Sequence, residues 1–197
     1  MCLCVTVFNY HTPINQALRG TILRIIRNII PESMSLLKQI EAKILNWQKL
    51  KDQVSTWQLQ GDKVVFTNGC FDLIHYGHLH YLAQARALGD RLVIGLNADA
   101  SVSRLKGPNR PIKDQQSRQL LLAALVFVDA VSLFEEDTPL QLISTILPDI
   151  LVKGGDWQTD QIVGADIVMQ NGGKVLSLPY LQGYSTTAIE AKIRNSK

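Results

Sequence analysis

The stretch VVFTNGCFDLIHYGHLHYLAQA, residues 64–85, largely decides the expected fold. An apolar run typical of a buried strand ends at an Asn-Gly pair, and a helix-like pattern begins after a short turn. His75 and His78 flank Gly77 where the strand gives way to the helix. Because free N–H groups at the start of a helix attract anions, this turn is predicted to bind phosphate, with the imidazoles donating hydrogen bonds as cations.

Segments typical of strands and helices alternate along the rest of the chain. The further strand-like segments are RLVIGLN, DAVSLF, DILVKGG and KVLSLP. This alternation predicts an α/β fold, a Rossmann-like doubly wound parallel sheet of about five strands with an N-terminal helical extension. Ligands of such sheets bind at the carboxyl ends of the strands, so the polar loops there are expected to converge on one crevice. Those loops span residues 68–78, 97–99, 153–156 and 182–187.

Three polar residues are expected to cap helices. Asp114 precedes one helical pattern, and Thr138 precedes another that has Pro139 at its first position. Ser185 opens the last helix, where Glu190 is able to act in a capping box.

The chain is expected to have three parts: an extension at 1–33, an amphipathic helix at 34–60 and the α/β domain at 61–197. The extension carries three arginines and no acidic residue before Glu32. It fits a basic surface helix, an organelle transit peptide, or upstream sequence before a true start at Met34, and the last of these is favoured.

Composition narrows the class of protein. The chain has 197 residues, of which 46% are hydrophobic and 19% charged, as in an ordinary globular protein. The net charge of +3 is too small to indicate nucleic-acid binding, and no apolar run is long enough to span a membrane. The three cysteines form neither a disulfide framework nor a zinc motif, so the cytoplasm is the expected compartment.

A second phosphate site is predicted near the end of the chain, in GYSTTAIEAKI. Gly183 loosens the loop, and the three hydroxyls that follow exceed what a helix cap needs; they belong to Ser185, Thr186 and Thr187. The loop SRLKGPNRP adds cations that are either solvated or clamp a phosphate. These are Arg104, Lys106 and Arg110.

Several common motifs are absent from the sequence. There is no G-x-x-x-x-G-K-[ST], no G-x-G-x-x-G after a strand and no G-x-S-x-G. The phosphates are therefore not expected to bind as they do in P-loop or standard dinucleotide-binding proteins.

The segment H-Y-G-H, followed late in the domain by G-Y-S-T-T, resembles the nucleotidylyltransferase superfamily marked by H-x-G-H. The resemblance runs from residue 63 to about residue 193 and would make 61–197 a nucleotidyltransferase domain. It implies a Rossmann-like sheet, transfer of a nucleoside monophosphate from a nucleoside triphosphate, and release of pyrophosphate. It also implies Mg²⁺ that arrives with ATP rather than at a dedicated protein site, and a homodimer.

Within the superfamily, the segments FEEDTPLQLI, LPDILVKGGDW and STTAI look most like the stand-alone adenylyltransferases that make ADP-heptose. Those enzymes use ATP and D-glycero-β-D-manno-heptose 1-phosphate for the lipopolysaccharide core. A glycerol-3-phosphate cytidylyltransferase is the rival, but Tyr180 stands where that family usually has an arginine. A nucleotide-binding module without catalysis is the third alternative.

The resemblance implies roles for individual residues. His75 and His78 would stabilise the α-phosphate and the leaving pyrophosphate, and Lys106 would hold a phosphate. The nucleotide-binding positions are Cys70, Phe71, Asp156, Gly183, Ser185, Thr186 and Thr187. The less secure matches, assigned to the substrate phosphate, are Asp72, Asp99, Arg110 and Arg118. Asp72 is also a candidate to orient a histidine or help to hold Mg²⁺.

The expected reaction explains why the sequence shows no pair of base and nucleophile. The attacking phosphate monoester has a second pKa of about 6 and is mostly ionised at neutral pH. The protein need only align two anions and neutralise charge in the transition state.

Overall fold

The computed structural model describes residues 36–196. The surface helix, the transit peptide and the start at Met34 were all proposed for residues 1–34, which lie outside this range. Within the described range, no helix is both long and apolar enough to cross a membrane.

Five parallel strands form one sheet in the order β3-β2-β1-β4-β5. They are β1 Val64–Gly69, β2 Arg91–Asn97, β3 Ala130–Phe134, β4 Ile150–Gly154 and β5 Lys174–Leu178. This confirms the doubly wound parallel sheet expected from the sequence. The strand order reverses between β1 and β4, and ligands of such sheets bind outside the carboxyl ends of the strands at the reversal.

Helices lie before, between and after the strands. Their bounds are α1 Leu36–Glu41, α2 Trp47–Leu59, α3 Tyr76–Arg86, α4 Asp99–Lys106, α5 Gln115–Ala123, α6 Leu140–Ile146, α7 Ala165–Gln170 and α8 Thr186–Asn195. A single turn of 3₁₀ helix, Thr159–Gln161, precedes α7.

The single helix expected over residues 34–60 is wrong, because the described part consists of α1 and α2. Asn46 interrupts the pattern: its side chain accepts a hydrogen bond from the Lys49 amide at 2.9 Å and caps α2. The segment between the helices pairs with β3, with the Leu45 amide donating to the Val131 carbonyl at 3.0 Å. The apolar spacing is helical on both sides of this break, so periodicity alone missed it.

The two faces of the sheet bury different residues of β1. Val64 and Phe66 pack on one face with Leu50 of α2, and all three are fully buried. Val65 packs on the other face with Leu82 of α3. Each such side chain contributes about 1.5–3 kcal/mol when fully buried. Helices on both faces therefore hold the sheet, and its carboxyl edge is left for the loops.

Two of the three expected caps are confirmed. Asp114 accepts from the Ser117 amide at 2.8 Å, and Ser185 accepts from the Ala188 amide at 3.1 Å. The Thr138 cap is wrong: α6 begins later than expected, Pro139 occupies the cap position, and no side chain caps the helix.

Candidate active site

Three adjoining cavities follow the carboxyl edge of the sheet, with volumes of about 200, 220 and 260 Å³. The histidine cavity is lined by residues that include His75, His78, Tyr180, Tyr184, Ser185 and Thr186. The central cavity is lined by Cys70, Phe71, His78, Lys106, Lys153 and Thr186, among others. The lining of the outer cavity includes Asn68, Asp137, Thr138, Lys153, Trp157 and Ile162.

The central cavity connects the other two. It shares His78 and Thr186 with the histidine cavity, and Asn68 and Lys153 with the outer cavity. The loops that the sequence expected to converge after β1, β4 and β5 all contribute to these linings. Asn97, the last residue of β2, also lines the outer cavity.

The two histidines lie side by side at the start of α3. Their ring centroids are 3.9 Å apart and the rings are stacked at 25°. A Cβ at Gly77 would lie 3.0 Å from the Cβ of Tyr184 and 3.1 Å from the ring of His75, so glycine permits this close packing. Among the described residues, the Nδ1 atoms of His75 and His78 are buried without a hydrogen-bond partner.

The environment disfavours a positive charge on either imidazole. Burial lowers the pKa of His78 to about 4, and the nearby His75 and Lys106 add to the effect. Burial also lowers the pKa of His75. Without a bound phosphate, this arrangement therefore favours neutral imidazoles over the expected cations, and a neutral ring still donates one N–H.

Acid should destabilise the protein through His78. Its unfolded pKa is 6.5 and its folded pKa is about 4, so the unfolded chain binds the extra proton in this interval. We expect the free energy of unfolding to fall as the pH is lowered from 6.5 towards 4, and to fall less in a His78→Gln variant. Urea unfolding of both proteins across this pH range measures the difference. If the unfolding free energies of the two proteins changed in parallel with pH, His78 would not be the group responsible.

Arg118 is a structural hub rather than a ligand for the substrate phosphate. Its side chain is fully buried, and its Nη2 lies 2.6 Å from Asp99 Oδ1. Its other nitrogens donate to the carbonyls of Cys70, Asn97 and Lys113 at 2.7, 2.9 and 3.0 Å. The substrate-phosphate assignment therefore does not fit Arg118, because its donors already join the loops after β1 and β2 to the start of α5.

Asp72 and Arg110 are also committed to contacts within the protein. The buried Asp72 carboxylate accepts from Arg110 Nη1 at 2.6 Å and from the amides of Ile112 and Lys113 at 2.8 and 3.0 Å. Arg110 Nη2 also contacts Glu190 Oε1 at 2.5 Å. These contacts contradict the ideas that Asp72 orients a histidine, that Arg110 is free for a substrate, and that Glu190 completes a capping box.

The Arg110–Glu190 ion pair is expected to anchor α8, which contains no buried residue. A Glu190→Gln variant should exchange the amide hydrogens of α8 faster while the sheet is unchanged, because the charge pairing is lost. Lys192→Gln on the same helix is the control. Hydrogen exchange measured by mass spectrometry makes the comparison, and equal exchange in all three proteins would contradict the anchoring role.

The remaining assigned residues divide into two groups. Cys70, Phe71 and Lys106 line the central cavity, and Ser185 and Thr186 line the histidine cavity. The exposed residues Asp156, Gly183 and Thr187 line none of the three cavities. The structure thus brings together the histidines, the lysine and two of the three hydroxyls.

Sequence reasoning assigned no role to several residues that line the cavities. Tyr81 belongs to the buried face of α3, and its hydroxyl lies 2.6 Å from that of Thr67. Lys153 ends near Asn68, with Nζ 3.5 Å from Oδ1, and burial lowers its pKa. Trp157 is half exposed. The available signal was that Lys153 lies at the end of β4, and that Tyr81 and Trp157 follow β1 and β4, the two strands at the strand-order reversal.

No group of three or more His, Cys, Asp or Glu side chains in residues 36–196 could hold a metal ion. The nearest candidate by sequence, Asp72, is occupied by Arg110 and by backbone amides.

Known proteins resemble this chain closely. The bifunctional protein HldE of Magnetococcus marinus is 57% identical over 155 residues, which are 79% of this chain and 32% of that protein. The HldE of Rhodospirillum rubrum is 51% identical over 153 residues, which are 78% and 31% of the two proteins. The chain thus spans about a third of the length of these curated relatives.

A solved structure has a similar fold. The crystal structure of the lipopolysaccharide core biosynthesis protein from Thermoplasma volcanium has 30% identity and a TM-score of 0.50, and the match covers 64% of this chain and 100% of that one. A family model described as cytidylyltransferase-like matches residues 66–192. The resemblance inferred from the H-Y-G-H and S-T-T segments is therefore confirmed, and the chain belongs to the cytidylyltransferase-like family.

Proposed function

We propose that the chain transfers AMP from ATP to D-glycero-β-D-manno-heptose 1-phosphate, giving ADP-heptose and pyrophosphate for the lipopolysaccharide core. The observation that carries this proposal is the continuous lining of the histidine and central cavities. His75, His78, Lys106 and the start of α8 all face the same space. The identity to bifunctional HldE proteins supports the same function.

The triphosphate fits the histidine and central cavities because the donors for anions lie there. The hydroxyls of Ser185 and Thr186 sit at the start of α8, where free amides and the helix dipole favour the β- and γ-phosphates. His78 lines both cavities, together with Thr186, and shares the central one with Lys106, which supports a position of the α-phosphate beside His78.

The reaction needs charge neutralisation and alignment more than proton transfer. An oxygen of the sugar phosphate attacks the α-phosphorus, and pyrophosphate leaves in line with it. Burial lowers the pKa of His78, which favours a neutral ring that donates one N–H. Lys106 supplies positive charge beside it.

Magnesium enters this proposal as part of the ATP complex. A dedicated protein site does not fit the described residues, since Asp72 is taken up by other contacts. When bound to the phosphates, the ion would neutralise their oxygens.

We propose ATP rather than CTP because Tyr180, which lines the histidine and central cavities, stands where the rival cytidylyltransferases usually have an arginine. A tyrosine at this position offers an aromatic surface for the base, whereas an arginine would offer a cation. We further propose that the enzyme is a cytoplasmic homodimer, as the resemblance implies; light scattering of the purified protein tests the dimer.

Replacing Lys106 by alanine should raise the KM for ATP by about tenfold or more, because a charge-assisted contact to phosphate is lost. Lys51→Ala is the matched control, because it also removes one lysine but on the exposed face of α2. Steady-state kinetics with each substrate varied in turn measures the effect. An unchanged KM for both substrates would remove Lys106 from the site.

Product analysis tests which phosphorus is attacked. Incubation with ATP, Mg²⁺ and heptose 1-phosphate should give pyrophosphate and ADP-heptose in equal amounts. ADP together with a doubly phosphorylated sugar would mean attack on the γ-phosphorus, and would overturn the proposal.

A further inference from the structure

The outer cavity differs chemically from the two cavities assigned to ATP. Its described lining has neither His75 nor His78 and no residue of α8. It contains instead the carboxylate of Asp137, the hydroxyl of Thr138 and the indole of Trp157. It meets the central cavity at Asn68, Gly69, Cys70 and Lys153.

This lining suits a sugar better than a polyphosphate. The Asp137 carboxylate would repel a triphosphate, but it accepts hydrogen bonds from sugar hydroxyls. Asp137 is 61% exposed and is held by Arg104 Nε at 2.8 Å from Oδ1, so it stands at the cavity wall in a defined position. A few placed polar groups among apolar side chains are typical of a site that orients a small ligand.

Trp157 supplies a fixed aromatic surface on the same wall. Its Nε1 donates to the Gly154 carbonyl at 3.0 Å, and its amide donates to Ser177 Oγ at 3.1 Å. The side chain is nevertheless 50% exposed, so burial in the core does not explain its placement. An indole held in this way can pack against the C–H face of a sugar ring.

Lys153 stands at the boundary between the two sites. Its side chain lines both the central and the outer cavity, and its nearest hydrogen-bond partner in the described chain is Asn68 at 3.5 Å. An ammonium with one long contact in a partly buried wall lacks a strong partner. An anion that bridges the two cavities would provide one.

We propose that the outer cavity binds the sugar of the sugar 1-phosphate, and that Lys153 holds its phosphate against the central cavity. This inference rests on the proposed function. A phosphate oxygen held at Lys153 forms the new bond to the α-phosphorus of ATP. The bond from that phosphorus to the α–β bridging oxygen breaks, and its electron pair leaves with pyrophosphate, so no proton has to move.

Variants of the outer cavity should separate the two substrates kinetically. Asp137→Asn and Trp157→Ala are expected to raise the KM for heptose 1-phosphate by about tenfold, with the KM for ATP nearly unchanged. Trp157→Phe, which keeps an aromatic face, should recover part of the loss. Asp160→Asn, an exposed acid that lines none of the three cavities, is the control.

Lys153→Met is expected both to raise the KM for the sugar phosphate and to lower kcat by about tenfold or more. Its affinity for a non-hydrolysable ATP analogue should change much less. Thermal melts confirm that each variant is folded; if Trp157→Ala fails to fold, Asp137→Asn, at an exposed position, carries the test.

The outcomes distinguish this inference from the function on which it rests. An active wild type whose outer-cavity variants keep a normal KM for the sugar phosphate would overturn the inference alone. A rise in the KM for ATP instead would place the nucleotide in the outer cavity and overturn it as well. A wild type inactive with heptose 1-phosphate would overturn both.

Discussion

Replacing His78 by alanine is expected to lower kcat by about 10²- to 10³-fold while the protein stays folded. The ring lines both cavities assigned to ATP and stacks on His75, and burial lowers its pKa. In the proposed reaction it would present a fixed N–H donor to the phosphate on which charge develops. The loss of such a preorganised donor affects the transition state more than substrate binding, so the KM for ATP should change less than kcat.

His80→Ala is the matched control for this experiment. His80 lies two residues further along α3 and lines none of the three cavities. The turnover of the His80→Ala variant should stay near that of the wild type. If His78→Ala also kept near-normal turnover, or if both variants lost activity together, the assigned role of His78 would be wrong.

The Arg118→Met variant is expected to lose about 3–5 kcal/mol of unfolding free energy, because three backbone carbonyls lose their donor and each buried unsatisfied group costs about 1–3 kcal/mol. Arg118 is fully buried, and methionine cannot donate to the three carbonyls it now serves. Urea unfolding gives the measurement. Two of the carbonyls belong to Cys70 and Asn97, which both line the outer cavity, so activity should fall as well.

Arg104→Met provides the comparison for Arg118. Arg104 and its partner Asp137 are 50% and 61% exposed, and exposed ion pairs contribute at most about 1 kcal/mol. Equal losses of stability in the two variants would show that Arg118 is not the hub described above.

The sheet and the residues proposed to bind phosphate were predictable because their signals are local. The apolar run of β1, followed by His75, Gly77 and His78, marks a strand, a turn and a helix within one short segment. The caps at Asp114 and Ser185 also depend only on the few residues that follow each of them. Because the carboxyl ends of parallel strands lie at the same edge of the sheet, the loops that follow them are expected to meet there.

The rest depended on contacts between distant parts of the chain. Arg118 looks like a free cation in the sequence, and only packing reveals that it is buried among carbonyls. The pKa of His78 is set by burial and by neighbours, which spacing does not show. Glu190 matched a local capping pattern but contacts Arg110, 80 residues earlier in the chain.

The most direct test of the central claim is pyrophosphate release with Mg²⁺ from ATP or CTP, each paired with heptose 1-phosphate or glycerol 3-phosphate. The proposed function predicts release only with ATP and heptose 1-phosphate. Release only with CTP and glycerol 3-phosphate would keep the fold and the reaction type but contradict the proposed substrates. No release from any pair would contradict the proposed activity itself.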